Sequence, residues 1–225
     1  MKKYLIGNWK SNKTTTEVTA FFDEFARLYH QGKDKLPPNI IPVVCPVYIH
    51  LPIAKELIFK NNLPISLGAQ DISPYNAGAY TGEVYADQLI EYAEFVIIGH
   101  SERRKYFLEN DTLLASKLNQ AKNLNLKSIY CVSDSSAIIP VGVSIIAYEP
   151  LFAIGTGKPD TPENAAKTIA EIKKKNSNIP VIYGGSVTAD NIKSFLETDA
   201  IDGVLPGKSS LDPEIYYRML INAAS

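Results

Sequence analysis

Gly142-Val143-Ser144-Ile145-Ile146-Ala147-Tyr148-Glu149-Pro150-Leu151-Phe152-Ala153-Ile154-Gly155-Thr156-Gly157-Lys158 is the most informative stretch of the chain. Val143 to Ala147 is a short apolar run with three β-branched members, which reads as a buried strand. Pro150 fixes φ and pushes Glu149 out of helical geometry, so a carboxylate sits where strand meets loop. The loop that follows is apolar at Leu151-Phe152-Ala153-Ile154 and closes in Gly155-Thr156-Gly157-Lys158. Loops are normally polar because they lie in water. An apolar one could fold down over a ligand and keep Glu149 dry as a general base. A tight turn with a solvated Glu fits these residues equally well.

Composition narrows the function classes. The chain has 225 residues, 45% of them hydrophobic, and a formal net charge of −1. That length suits one large α/β domain or two small ones, and a single domain over 1–225 is expected. With no block of like charge, neither nucleic acid nor an anionic membrane is the expected partner. Any anionic substrate must be held by a few placed cations and backbone N–H groups. The N-terminus, Met1-Lys2-Lys3-Tyr4-Leu5-Ile6-Gly7-Asn8, has no apolar leader segment, and no apolar run is long enough to span a bilayer. Cys45 and Cys131 each end a strand-like run, as buried reduced thiols would, which points to the cytoplasm. With three His and no paired ligand spacing, no metal centre is expected.

Strand and helix patterns alternate along the chain. Strands are expected at 4–8, 40–45, 65–69, 95–99, 127–132, 143–148, 181–183 and 201–205, with Pro42 interrupting the second. Helices are expected at 17–29, 51–61, 86–92, 111–124, 161–175 and 189–197, and from Pro213 onward. Thr161 is a good N-cap, with Pro162 in the first turn and Glu163 near the positive end of the dipole. Continuous apolar strands separated by helices mean a parallel sheet covered on its faces. Eight of them in a chain this size fit a (β/α)8 barrel better than an open sheet. One unit is defective. Ser133 to Gly142 is too short for an ordinary helix, so the barrel is shortened, with the helix between strands five and six largely missing. Apolar surface is expected at that gap unless a partner subunit covers it.

Asn8, Lys10, His100, Glu149, Ser186, Gly207 and Lys208 all fall at or just past C-terminal strand ends, the face that carries active sites in such barrels. Taken singly, each has an ordinary explanation. Lys10 would be a solvated cation, His100 a capping histidine and Gly184-Gly185 a tight turn. Their shared rim is harder to explain that way.

Six motifs in order over almost the whole length resemble the triosephosphate isomerase family. They are Gly7-Asn8-Trp9-Lys10, Gly78-Ala79-Tyr80-Thr81-Gly82-Glu83, Ile97-Ile98-Gly99-His100-Ser101-Glu102-Arg103-Arg104, Ala147-Tyr148-Glu149-Pro150, Ala153-Ile154-Gly155-Thr156-Gly157-Lys158 and Tyr183-Gly184-Gly185-Ser186. The resemblance implies a TIM barrel that interconverts D-glyceraldehyde 3-phosphate and dihydroxyacetone phosphate through an enediol(ate), without a cofactor. It makes Glu149 the base, His100 a neutral imidazole on the carbonyl and Lys10 the cation that meets developing charge. Asn8 would hold Lys10 and a substrate oxygen, and Glu102 would stand behind Lys10. Backbone N–H groups of Gly155, Ser186 and Gly207 would grip the phosphate. Pro150 to Lys158, with Leu151, Phe152, Ala153, Ile154, Thr156 and Gly157 between, would be the lid. The loop from Gln70 to Glu83 would build a homodimer, with Thr81 reaching the partner's site and Glu83 and Arg103 as inter-subunit ion-pair members.

The chain departs from the family pattern at three places. Phe152 stands where the family usually has Trp. Pro206-Gly207-Lys208 replaces a residue followed by two glycines, so one phosphate contact changes and Lys208 becomes a candidate phosphate cation. The missing helix resembles shortened family members, which implies a tetramer as the alternative to a dimer. Three rival functions stand beside the isomerase, and one of them, another phosphosugar barrel enzyme, fits the fold alone but does not explain the lid beside Glu149. Gly203 to Ser209 approaches a P-loop but has one residue too few between its glycines. A barrel that has lost catalysis could serve as a phosphate-binding scaffold, although Lys10, His100 and Glu149 are all present.

Overall fold

The structure, a computed structural model, describes residues 2–32, 36–153 and 159–223. Eight parallel strands pair in chain order: β1 (Lys3–Asn8), β2 (Ile40–Cys45), β3 (Ser66–Ala69), β4 (Phe95–Ile98), β5 (Lys127–Val132), β6 (Ile145–Tyr148), β7 (Val181–Tyr183) and β8 (Gly203–Val204). β8 returns to β1 and closes the expected TIM barrel. Around it lie α1 (Thr15–Gly32), α2 (Leu51–Lys60), α3 (Ala86–Ile90), α4 (Ser101–Tyr106), α5 (Asp111–Asn123), α6 (Pro162–Lys175), α7 (Ile192–Leu196) and α8 (Pro213–Asn222). Side chains alternate across each strand, so two apolar layers form. Ile6, Val43, Ile97, Ile129, Ile145 and Ile182 fill the barrel, while Leu5, Val44, Ile98, Ile146 and Val204 face the helices.

The same alternation sets up the mouth of the barrel. Past β1, Trp9 turns outward and is fully buried against Phe21 of α1, at 4.8 Å between ring centroids. Its indole N–H donates to the Ser210 carbonyl at 3.0 Å, in a 3-10 turn over 208–210. Asn8, on the other face of the chain, therefore points to the mouth, and Lys10 follows two residues past the end of β1. The Tyr216 hydroxyl of α8 reaches under the same region and sits 3.0 Å from the carbonyls of both Leu5 and Val43.

Several boundaries differ from the sequence reading. β2 is not interrupted at Pro42, which pairs with Leu5 inside the strand. The carbonyls of Asn39 and Cys45 point to β1, so by alternation residue 42 faces β3. β3 joins the ladder only from Val43, so the N–H that proline lacks has no partner to lose. α4 is a six-residue helix where only a turn was expected, capped by the side chain of His100. α7 is five residues, shorter than the pattern over 189–197.

The gap in the helical ring is present. Residues 133–144 contain no helix. Ser135 Oγ donates to Glu171 of α6 at 2.8 Å, and Lys175 of α6 donates to the Ser135 carbonyl at 2.9 Å. Ser128 and Ser144 each accept the other's backbone N–H, at 3.0 and 3.2 Å, and so fasten the start of β6 to β5. Ile138 and Val141 are 91% and 90% exposed, the apolar surface expected there. A cavity of about 920 Å³ opens between α4, the end of β5 and Ala137-Ile138.

The shared hydroxyl of Tyr216 gives a test of this packing. Tyr216→Phe keeps the ring and removes the donor from two buried strand carbonyls. It is expected to cost about 1–2 kcal/mol, read by urea denaturation at fixed protein concentration.

Candidate active site

Glu149 follows β6, and its own N–H donates to the carbonyl of Val132 at 2.8 Å. Only 2% of its side chain is exposed. A buried carboxylate must be met by donors. Here Oε2 accepts the backbone N–H of Ser101 at 2.9 Å, and Oε1 lies 3.1 Å from His100 Nε2. Gly184 has to be glycine for this placement, because a Cβ there would come within 2.9 Å of Glu149 Cγ. The Cys131 thiol lies on the same side. Burial, and next the Glu149 carboxylate, push its pKa well above the usual thiol range.

His100 ends the turn after β4 and caps α4. Its Nδ1 accepts the Glu102 N–H at 3.2 Å. A ring nitrogen that accepts from an amide carries no proton, so this arrangement is the neutral tautomer with its proton on Nε2, toward Glu149. Lys10 Nζ pairs with Glu102, whose other oxygen is 3.7 Å from His100 Nδ1. Lys10 N–H donates to Asn8 Oδ1 at 3.0 Å. Gly207 closes this group, since a Cβ on it would lie 3.4 Å from Lys10 Cε. Asn8, Lys10, His100, Glu102, Glu149 and Gly207 thus form one connected cluster at the C-terminal rim.

The remaining candidates fall around it. Ser186 Oγ donates to the carbonyl of Ala153 at 2.9 Å, which links the β7 turn to the first residues of the loop after Glu149. Leu151 and Phe152 are exposed at the tip of that loop, and Ala153 is buried. Ile154, Gly155, Thr156, Gly157 and Lys158 lie outside the described residues. Lys208 is exposed and lines a groove with Lys13, Glu17 and Asp212. Among the described residues no hydrogen bond or ion pair joins it to Lys10, His100 or Glu149. Thr81 and Glu83 are exposed on the 70–83 loop, where Tyr75 and Tyr80 stack at 4.1 Å.

Arg103 is already paired within the chain, to Asp71 at 2.8 Å and Glu109 at 2.7 Å. Both carboxylates also hold Lys117, whose side chain is 4% exposed. Burial pushes the Asp71 carboxyl up, against the downward pull of Lys117. This charged cluster escaped the sequence reading. Its members are spread over 71–117 and share no local pattern. Among the described residues no group of His, Cys, Asp and Glu could hold a metal ion. No described helix is long and apolar enough to cross a membrane.

A family model described as triosephosphate isomerase matches residues 3–138 and 135–224. The chain belongs to the triosephosphate isomerase family. The triosephosphate isomerase of Mesomycoplasma hyopneumoniae (strain 232) is 36% identical over 245 aligned positions, covering 99% of this chain and 100% of that protein. Those of Mesomycoplasma hyorhinis and Gloeobacter violaceus are 37% and 34% identical, each covering 97% of this chain and 98% of the relative. The two matched stretches of this triosephosphate isomerase family member meet at 135–138, inside the connection that lacks a helix. Neither the family match nor the relatives support the scaffold alternative or the P-loop reading.

Tyr183, at the end of β7, offers a pH-dependent check on the site's frame. Its hydroxyl accepts the Asp160 N–H at 2.9 Å, on the far side of the lid segment. Burial pushes its pKa up from 10.0 to about 12. An unfolded tyrosine ionises near 10 while the folded one keeps its proton, so this stability is full below pH 10 and lost as pH rises toward 12. Tyr183→Phe is expected to flatten the decline in denaturation midpoint across that window.

Proposed function

We propose that this protein is a cytoplasmic isomerase that interconverts D-glyceraldehyde 3-phosphate and dihydroxyacetone phosphate, the triose step of glycolysis and gluconeogenesis, within a single barrel domain over 1–225. The observation that carries the reading is the junction of Glu149 and His100 at 3.1 Å beside Lys10, in a chain of this family.

The chemistry follows from the groups. Glu149 takes a proton from one substrate carbon and returns it to the neighbouring carbon. Only 2% of its side chain is exposed, so the carboxylate competes with little water for that proton. Nε2–H of a neutral His100 donates to the carbonyl oxygen as the enediolate forms, then passes protons between the two oxygens. The Lys10 ammonium, set against Glu102 and Asn8, stabilises the negative charge that develops. For the proton transfer the Glu149 carboxylate must leave the Ser101 N–H and swing over the substrate. Closing the loop from Pro150 to Lys158 would accompany that swing and exclude water. The phosphate would sit on backbone N–H groups of Gly155, Ser186 and Gly207, with Lys208 adding charge from the outer side of the turn.

The assembly proposed is a homodimer built through the 70–83 loop, with Thr81 entering the partner's site near Asn8 and Lys10. Glu83, exposed on that loop, is the acidic member at that contact. Arg103 would share itself between Glu83 of the second copy and its own Asp71 and Glu109. A tetramer is the larger alternative, favoured by the exposed Ile138 and Val141.

A coupled isomerase assay tests the catalytic reading. Wild type should turn over both trioses. Glu149→Asp withdraws the carboxylate by one methylene and is expected to lower kcat by about 100-fold with KM changed less than about threefold. A folded wild-type protein with no turnover sinks the proposal. For the assembly, light scattering should give at least a dimer, and a monomer alone at micromolar concentration refutes the interface.

A further inference from the structure

Gln70, just past the end of β3, belongs to none of the motifs that drew attention to the site. Its carboxamide nitrogen donates to two carbonyls, those of Lys10 and Cys45, each at 2.9 Å. Cys45 is the last residue of β2, and Lys10 lies two residues past the end of β1. One amide therefore ties three neighbouring strand ends together at the mouth, and both of its N–H groups are used.

The acceptor on the β1 side is unusual. Lys10 has a φ of +52°, one of five described non-glycine residues with a positive φ. That conformation is disfavoured for a residue with a Cβ, so it persists only where its surroundings hold it. The two peptide units flanking Lys10 are held separately. Asn8 Oδ1 accepts its N–H at 3.0 Å, and Gln70 takes its carbonyl. Relaxing φ to a negative value would turn these peptides, break the contacts and swing the side chain. The ammonium would then leave Glu102, and Lys10 Cε would leave its place beside Gly207, where an added Cβ would meet it at 3.4 Å.

We infer that Gln70 is a positioning residue for the reaction: it holds the left-handed backbone of Lys10 and so fixes where the ammonium meets substrate charge. The inference rests on the isomerase reading of Lys10. A merely structural Gln70 would instead strap β1, β2 and β3 together, with no special bearing on the ammonium.

A double-mutant cycle separates the two. Gln70→Met keeps the length and packing of the side chain and removes only the donors. Lys10→Ala removes the ammonium but keeps a Cβ, so the same backbone must still be held in that background. The readouts are the dissociation constant for 2-phosphoglycolate by calorimetry, kcat and KM, and the thermal midpoint as a control for folding. Gln70→Met is expected to weaken phosphoglycolate binding about tenfold in the wild-type background, and less than about twofold beside Lys10→Ala. Equal losses in both backgrounds, or no loss in the first, overturn the inference. If Gln70→Met does not fold, Gln70→Asn, too short to span both carbonyls, is read in the same cycle. If neither variant folds, Gln70 is a folding residue and the inference is overturned. Wild-type turnover is measured first. Its absence overturns the isomerase reading, whereas an additive cycle in an active enzyme overturns this inference alone.

Discussion

A single carboxylate, Glu149, is held out of water by donors at the start of α4, and much of the surrounding architecture is arranged to make that tolerable. An ionised group with 2% exposure is costly unless its oxygens are satisfied. One donor is the Ser101 amide at the start of α4, and the other is an imidazole that is itself oriented by the next amide of the same helix. α4 is only six residues long, yet its first turn presents both. The requirement spreads outward from there. Gly184 must leave room for the Glu149 side chain, and Cys131 stays a thiol because burial, and next the neighbouring Glu149 carboxylate, disfavour the thiolate. The resting arrangement is thus well satisfied.

Lys10 presents the complementary problem. It keeps its charge partly in water and pairs with Glu102, but its backbone is in an unfavourable conformation. Strand alternation explains why the cost is accepted at this residue. Trp9 must face outward into the α1 aromatics, and the chain then has to turn sharply to bring the next side chain over the mouth.

Much of this was legible in the sequence because it is written locally. Short apolar runs marked all eight strands, and β2, β5 and β7 begin and end where the pattern puts them. Thr161 caps α6 through its side chain, as its residue type suggested. The polar residues at strand ends mark the rim, and the cluster of Lys10, His100 and Glu149 is assembled from them. What stayed hidden depends on partners far away in the chain. Gln70 looked like one more polar loop residue, because its acceptors are backbone carbonyls 60 and 25 positions distant, and carbonyls have no signature. Lys117 reads as an ordinary helix-surface lysine until Asp71 and Glu109 are seen to bury it. Pro42 looked like an interruption because its tolerance depends on where β3 joins the ladder. α4 and α7 were misjudged because one or two turns carry too little periodicity to read.

The connection between β5 and β6 has a topological consequence. The barrel closes with every neighbouring strand pair registered, although that connection supplies no helix. Its outermost side chains, Ile138 and Val141, touch little else, while the Ser128–Ser144 exchange fastens the strand starts beneath them. Chain continuity across 138–141 is therefore nearly redundant for the sheet. The chain could be cut there without severing any bond of the β5–β6 ladder, leaving one new end just past β5 and the other just ahead of β6.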